Sequence, residues 1–256
     1  MSGVTSTEWT TMTLDLAIDG NALNGQILQF GFSNQATDFD PTALLFDNIN
    51  FNLATSGISF NADFEDSDAG APSIGDGWTS FATAFTTEGG FVYNYGTFDT
   101  PNNSGGFASI ASGEGEEAQG TQYLNVFSDY NNADHGNDLV IEALTFQERT
   151  ITAADGGNYQ LTFDAKAPSS GGIAPPTTAF AFLRTLDPAS GFATTNDIRF
   201  DMSSVSDTEW NTFTVELTID ASLLEGQLLQ FGFANAATTF NPSGVFYDNI
   251  TLGTVE

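Results

Sequence analysis

Residues 208–233 read TEWNTFTVELTIDASLLEGQLLQFGF, and residues 7–32 read TEWTTMTLDLAIDGNALNGQILQFGF. In the first stretch, Thr212 to Ile219 alternates polar and apolar side chains, the period-two pattern of a strand with one buried face. Thr11 to Ile18 alternates in the same way. Ala221-Ser222-Leu223-Leu224-Glu225 has room for one helical turn before Gly226, and Leu228–Ala234 then reads as a second strand. The two stretches align without a gap from Met1 on Met202 to Ile49 on Ile250, placing Trp9 on Trp210, Pro41 on Pro242 and Asp47 on Asp248. About half of the aligned positions are identical, which is the signature of one fold used twice.

The repeat divides the chain. Residues 58–256 are expected to form one complete unit of about 200 residues. Residues 1–53 match only the C-terminal part of such a unit, and 54–57 is a short linker that leaves little freedom between modules. A piece with about three strands cannot close a sandwich alone. Its missing half is expected from upstream sequence or a neighbouring copy, in a longer tandem array that assembles end to end. Trp9 and Trp210, each preceding a strand, read as core anchors.

Working outward, strand patterns recur at Phe91–Phe98, Gln122–Ser128, Asp138–Phe146, Tyr159–Ala165, Ala179–Thr185, Asp197–Met202 and Val245–Leu252. Clusters of Gly, Asn, Asp, Ser and Pro separate them. About ten strands in such a unit predict an all-β fold, a jelly-roll β-sandwich of two antiparallel sheets. The 24 phenylalanines suit a thick intersheet core.

Composition excludes several functions. The 256 residues carry 33 Asp+Glu but only 4 Lys+Arg, a formal charge of −29. The four cations are Arg149, Lys166, Arg184 and Arg199. Such a surface repels phosphate, which excludes nucleic acid as a partner, and no apolar run is long enough for a membrane helix, which excludes membrane insertion. With no cysteine there is no disulfide or thiolate chemistry. The acidity attracts hard cations, above all Ca²⁺.

The unit opens with Phe60-Asn61-Ala62-Asp63-Phe64-Glu65-Asp66. It continues through Tyr159-Gln160-Leu161-Thr162-Phe163-Asp164-Ala165-Lys166 and closes with Val245-Phe246-Tyr247-Asp248-Asn249-Ile250-Thr251-Leu252. In this order the motifs resemble those of the jelly-roll carbohydrate-binding modules of xylan- and glucan-binding type. The resemblance covers residues 58–254 and, in part, 1–53. It implies a structural Ca²⁺ held between the first and last strands by Glu65 and Asp248, with Asp63 as a further ligand. Asp47 is the counterpart of Asp248 in the first unit. A second, loop-type metal site is suggested by Asp129, Asp134 and Asp138 around the single histidine, His135. Glycan contact needs exposed aromatic faces, for which Trp78, Tyr93, Tyr95, Tyr123 and Tyr130 are candidates. Tyr93 and Tyr95 lead, because alternate strand positions share a face.

No nucleophile–base set converges in the sequence, and Glu114, Glu116 and Glu117 read as a solvated Gly-rich loop, so no enzyme is expected. Two functions follow. One is a calcium-stabilised repeat module of an extracellular or cell-surface adhesin, filament or matrix protein, with neighbouring copies as partners. The other is a carbohydrate-binding module for a polysaccharide.

Overall fold

The computed structural model describes residues 9, 12, 27–33, 43–49, 57–67, 77–99, 107–128, 138–171, 173–238 and 243–255. The chain forms two compact units, Met1–Ser56 and Gly57–Glu256. In the first unit the described residues stand largely exposed, Trp9 among them, so the core role expected of Trp9 does not hold. Phe32 and Phe46 stack there with ring centroids 3.6 Å apart. Most of the strand expected over Thr11–Ile18 lies outside the described residues, as do 54–56 of the linker.

The second unit is almost entirely strand. In chain order these are β1 (Phe60–Ala62), β2 (Thr79–Thr86), β3 (Phe91–Asp99), β4 (Ala108–Ser112), β5 (Gln122–Val126) and β6 (Leu139–Thr150). There follow β7 (Gly157–Lys166), β8 (Thr178–Asp187), β9 (Ala193–Asp201), β10 (Asn211–Ile219), β11 (Leu228–Ala237) and β12 (Val245–Val255). The expected helical turn is α1 (Ala221–Leu224), started by the Asp220 carboxylate accepting from the Ser222 N–H at 3.0 Å.

Every described strand pairing is antiparallel. One six-stranded sheet runs β10-β7-β12-β5-β4, with β1 also on β12, and the other runs β3-β2-β6-β11-β8-β9. Their inner faces share one core containing Leu124, Leu161, Phe163 and Tyr247 from the first sheet and Leu183, Phe231 and Phe233 from the second. Phe233 is its hub. It stacks on Tyr247 at 3.6 Å, meets Phe163 edge-on at 5.0 Å and lies parallel to Trp78 at 6.5 Å. Each such ring contributes about 1.5–3 kcal/mol on full burial. The unit is therefore a jelly-roll sandwich, as the strand pattern predicts.

One glycine is dictated by this packing. A Cβ on Gly232 of β11 would lie 2.2 Å from the carbonyl oxygen of Thr145 on β6. Only glycine lets the two strands approach there.

Candidate functional site

Two places gather chemistry, on the outer faces of opposite sheets. The first is a carboxylate cluster at the junction of β1 and β12. Their register sets Ala62 opposite Ile250, and just beyond it Asp63, Glu65 and Asp248 are neighbours. A register shift between Asp248 and Thr251 interrupts β12 against β7, with Asn249 left-handed at φ 48. Bulges of this kind re-aim a side chain. Here the shift leaves Asp248 almost fully buried.

The Asp248 carboxylate accepts the Asn249 N–H at 2.7 Å through Oδ1, while Oδ2 is buried with no hydrogen-bond partner. Burial pushes its pKa from 3.8 to about 7, aided by the negative charges of Glu65, Asp63 and Asp164. Glu65 Oε1 accepts the N–H groups of Thr121 and Gln122 at 2.8 and 2.7 Å. Gly120, at φ +59, makes room for it, since a Cβ there would sit 2.8 Å from the Glu65 carboxyl carbon.

Asp164 is the member that sequence reading missed. Its Oδ2 accepts from Gln119 Nε2 and Asn249 Nδ2, both at 2.9 Å, and its Oδ1 from Thr212 Oγ1 at 2.5 Å. These bonds satisfy Asp164, which leaves Asp248 as the group in need of a positive partner. An unpartnered buried carboxylate oxygen facing further carboxylates fits a hard cation. Asp248 is the residue that would engage it, with the charges of Glu65 and Asp63 nearby. Among the described residues no three acidic or histidine side chains enclose a single point, so part of the shell would come from other oxygens. Asp47 is exposed, accepts the Asn48 N–H at 2.8 Å and is the one carboxylate among the described residues of its unit. Asp138 stands exposed just before β6, and Asp129, Asp134 and Tyr130 lie outside the described residues.

The second place is the outer face of the β3-β2-β6-β11-β8-β9 sheet. On β8, Ala179, Ala181 and Leu183 face the core, so Phe180, Phe182 and Arg184 point outward. Arg199 of β9 lies over the Phe180 ring at 4.3 Å, and Arg184 over Phe182 at 5.1 Å. Carboxylates and a carboxamide brace both guanidinium groups. Arg199 binds Asp197 at 3.0 Å and Glu142 of β6 at 3.3 Å. Arg184 Nε donates to Gln230 Oε1 at 2.7 Å, and Gln230 Nε2 donates to Glu148 at 2.6 Å. Burial draws the Arg184 guanidinium below its ordinary pKa, and the charges of Asp197 and Glu142 work against that shift. Leu144, Phe146 and Ala234 form the apolar floor with Phe182.

The aromatic candidates fall elsewhere. Trp78 is only 3% exposed and packs on Phe60 and Phe233, so it is a core residue and not a sugar platform. Tyr123 is likewise fully buried. Tyr93 and Tyr95 do share a face, their rings 5.2 Å apart and their hydroxyls 3.4 Å apart. Tyr95 is partly buried against the cluster of Ala82, Ala84 and Phe107, and Tyr93 stays exposed at the sheet edge. Trp210 is half-buried and donates to the Glu114 carbonyl at 2.8 Å, which anchors the 113–121 loop. Glu114 is tied down by Lys166 at 2.5 Å and the Ser169 N–H at 3.0 Å. Burial alone would raise its carboxyl pKa, but those hydrogen bonds outweigh it and hold the value below the ordinary one.

No family profile matches the chain, and no curated protein matches it. Among solved structures it is similar to the CBM22-1 xylan-binding domain from Paenibacillus barcinonensis Xyn10C, with 12% identity over 79% of this chain and 98% of that one, TM-score 0.42. It is also similar to the family 11 carbohydrate-binding module of Clostridium thermocellum cellulosomal cellulase Lic26A-Cel5E, with 12% identity over 78% and 97%, TM-score 0.39. A third is the enzymatically active domain of bacteriophage CBA120 tailspike protein 4, with 14% identity and TM-score 0.41, where 70% of this chain spans 20% of that protein. Other carbohydrate-binding modules are among the similar structures.

Proposed function

We propose that the second unit is a non-catalytic module that binds an uncharged polysaccharide on the outer face of the β3-β2-β6-β11-β8-β9 sheet. The observation that carries this reading is the pair of arginines, each seated on a phenylalanine and braced by acidic or amide side chains on one sheet face. Two of the four cations of the whole chain are spent there. Phe182 is buried and supports Arg184 from beneath, so the two guanidinium groups and the half-buried Phe180 ring are what accept the C–H faces of sugars, and the surrounding carboxylates and amide take the hydroxyls. The net charge of −29 works against a uronate-rich chain, which favours a neutral one. Of the two functions the sequence raises, this favours the binding module over the filament, because the distinctive chemistry lies across a sheet face and not at a module end. A polysaccharide partner places the protein outside the cell or on its surface. Among the described residues no helix is long and apolar enough to cross a membrane.

The test is calorimetric titration with neutral xylan, mixed-linkage glucan and galactan beside polygalacturonate. At least one neutral polymer should bind, and Arg199→Ala should weaken it about tenfold or more, the loss of roughly 1.4 kcal/mol. Absence of binding to all neutral polymers, or unchanged affinity in Arg199→Ala, refutes the reading.

We also propose that Ca²⁺ binds at Asp248 Oδ2, drawn there by the nearby charges of Glu65 and Asp63, with other oxygens completing its shell. Its role there is structural: it supplies positive charge to the buried Asp248 oxygen and pins β1 to β12. The unpartnered Oδ2 of Asp248 supports this.

A further inference from the structure

The outer face of the β10-β7-β12-β5-β4 sheet carries a hollow that neither the arginine face nor the carboxylate cluster uses. Tyr159, Leu161 and Phe163 of β7 and Ile250 and Leu252 of β12 face the core. Gln160, Thr162, Thr251 and Gly253 therefore lie on the outside. Their register sets Thr162 beside Thr251 and Gln160 beside Gly253. With Val255 they line a hollow of about 190 Å³.

Gly253 opens it. The residue lies within β12 on extended backbone, so neither a turn nor a left-handed φ calls for glycine there. A glycine inside a strand weakens it, and often marks where another backbone or a ligand comes close. At Gly232 the close neighbour is the Thr145 carbonyl, whereas a Cβ on Gly253 would meet no described atom within 4 Å.

The polar groups around the hollow are aligned. Thr162 Oγ1 donates to Gln160 Oε1 at 3.3 Å, and Gln160 Nε2 donates to Glu216 Oε1 of β10 at 2.9 Å. The bonds run toward the carboxylate, so the Thr162 oxygen keeps its lone pairs for a donor entering the hollow. Thr251 adds an exposed hydroxyl that both donates and accepts. The lining has hydroxyls and an amide but no carboxylate, which suits a neutral ligand better than a metal ion. The charge of −29 works against an anion. The volume is well below the roughly 300–1,000 Å³ of pockets that enclose drug-sized ligands, so the occupant is a single small ring.

We propose that this hollow is a second carbohydrate site, which takes one ring of a neutral sugar through its hydroxyl groups. It lies on the sheet opposite the arginines. Where both sheets bind, one module holds two polysaccharide chains at once and crosslinks them; that consequence rests on the arginine-face reading, while the hollow itself does not.

The test is an NMR titration of the full chain with xylose, glucose and galactose, in saturating Ca²⁺ so that the Asp248 cluster stays constant. The amides of 160–162 and 251–255 should shift saturably with at least one sugar. Gly253→Val fills the hollow with a side chain that suits a strand, and Thr162→Val keeps the shape but removes the hydroxyl. Each should weaken that sugar about tenfold or more without lowering Tm. Arg199→Ala should leave these shifts in place, so loss of polymer binding on the arginine face is read separately from this site. Absence of saturable shifts at 251–255 with all three sugars overturns the proposal, as do shifts that persist in both valine variants. Equal shifts with glycerol also overturn it, because a hydroxyl and not a sugar ring is then what binds.

Discussion

Replacing Asp248 with asparagine should stabilise the protein when calcium is removed. In the folded chain its carboxyl titrates at about 7, against 3.8 as the ordinary value. At pH 8 the group is ionised in both states, and the buried, unpartnered oxygen beside Glu65 and Asp63 makes that ionisation unfavourable in the fold. A shift of about three units corresponds to roughly 4 kcal/mol as a ceiling. The asparagine side chain keeps an oxygen for the Asn249 N–H and removes the charge, so a gain of about 2 kcal/mol is expected, or about 4–8 °C in Tm for a domain of this size. Between pH 4 and 7 the folded protein holds a proton that the unfolded chain has released. Metal-free wild type should therefore lose stability as pH rises through that window, and Asp248→Asn should flatten the slope. Millimolar Ca²⁺ should reverse the ranking, raising the wild-type Tm and leaving the variant's where equal ionic strength of NaCl leaves it. Thermal unfolding in EDTA and in Ca²⁺ across pH 4–8 measures all of this. If EDTA-treated Asp248→Asn is less stable than wild type at pH 8, the electrostatic account is wrong.

Gly120→Ala should crowd the Glu65 carboxyl and strain a left-handed residue, lowering the Ca²⁺-dependent Tm shift at least by half; an unchanged calcium titration would contradict the placement of Glu65. Phe233→Ala should cost about 3–5 kcal/mol in urea unfolding, because it removes the hub of the aromatic core. Lys166→Met should cost about 3 kcal/mol by leaving the part-buried Glu114 without its cation, while Glu114→Gln together with Lys166→Met should recover most of it in a double-mutant cycle.

β7 and β10 were legible because each alternates cleanly, β3, β8, β11 and β12 because apolar runs stand between turn residues, and α1 because an aspartate cap and a glycine stop bracket it. β2 escaped notice. Its sequence, Thr-Ser-Phe-Ala-Thr-Ala-Phe-Thr, is rich in small residues that are buried without looking apolar. β4, Ala-Ser-Ile-Ala-Ser, was hidden for the same reason. Glu65, Asp63 and Asp248 could be paired from the order of the opening and closing strands, but Asp164 could not, since its role comes from β7 lying beside β12. The arginine face is likewise a cross-strand property. One local hint existed: Ala-Phe-Ala-Phe-Leu-Arg at 179–184 is apolar on both faces, which in a cation-poor chain singles out Arg184. Trp78 misled because a lone tryptophan serves equally well as core or platform until its burial is known.

β12 is the last strand of the second unit and an interior one, lying between β7 on one side and β5 with β1 on the other. During synthesis the first sheet of the unit therefore stays split until Val245–Val255 leaves the ribosome. Meanwhile the waiting gap is offered to any segment with a matching pattern, and residues 1–53 share about half of their positions with the late-arriving 202–254. Strand exchange between neighbouring copies is the misfolding route this order of events exposes. Divergence between the two segments, at Asn21-Ala22 against Ser222-Leu223 and at Leu45 against Phe246, is what the correct strand has to win with.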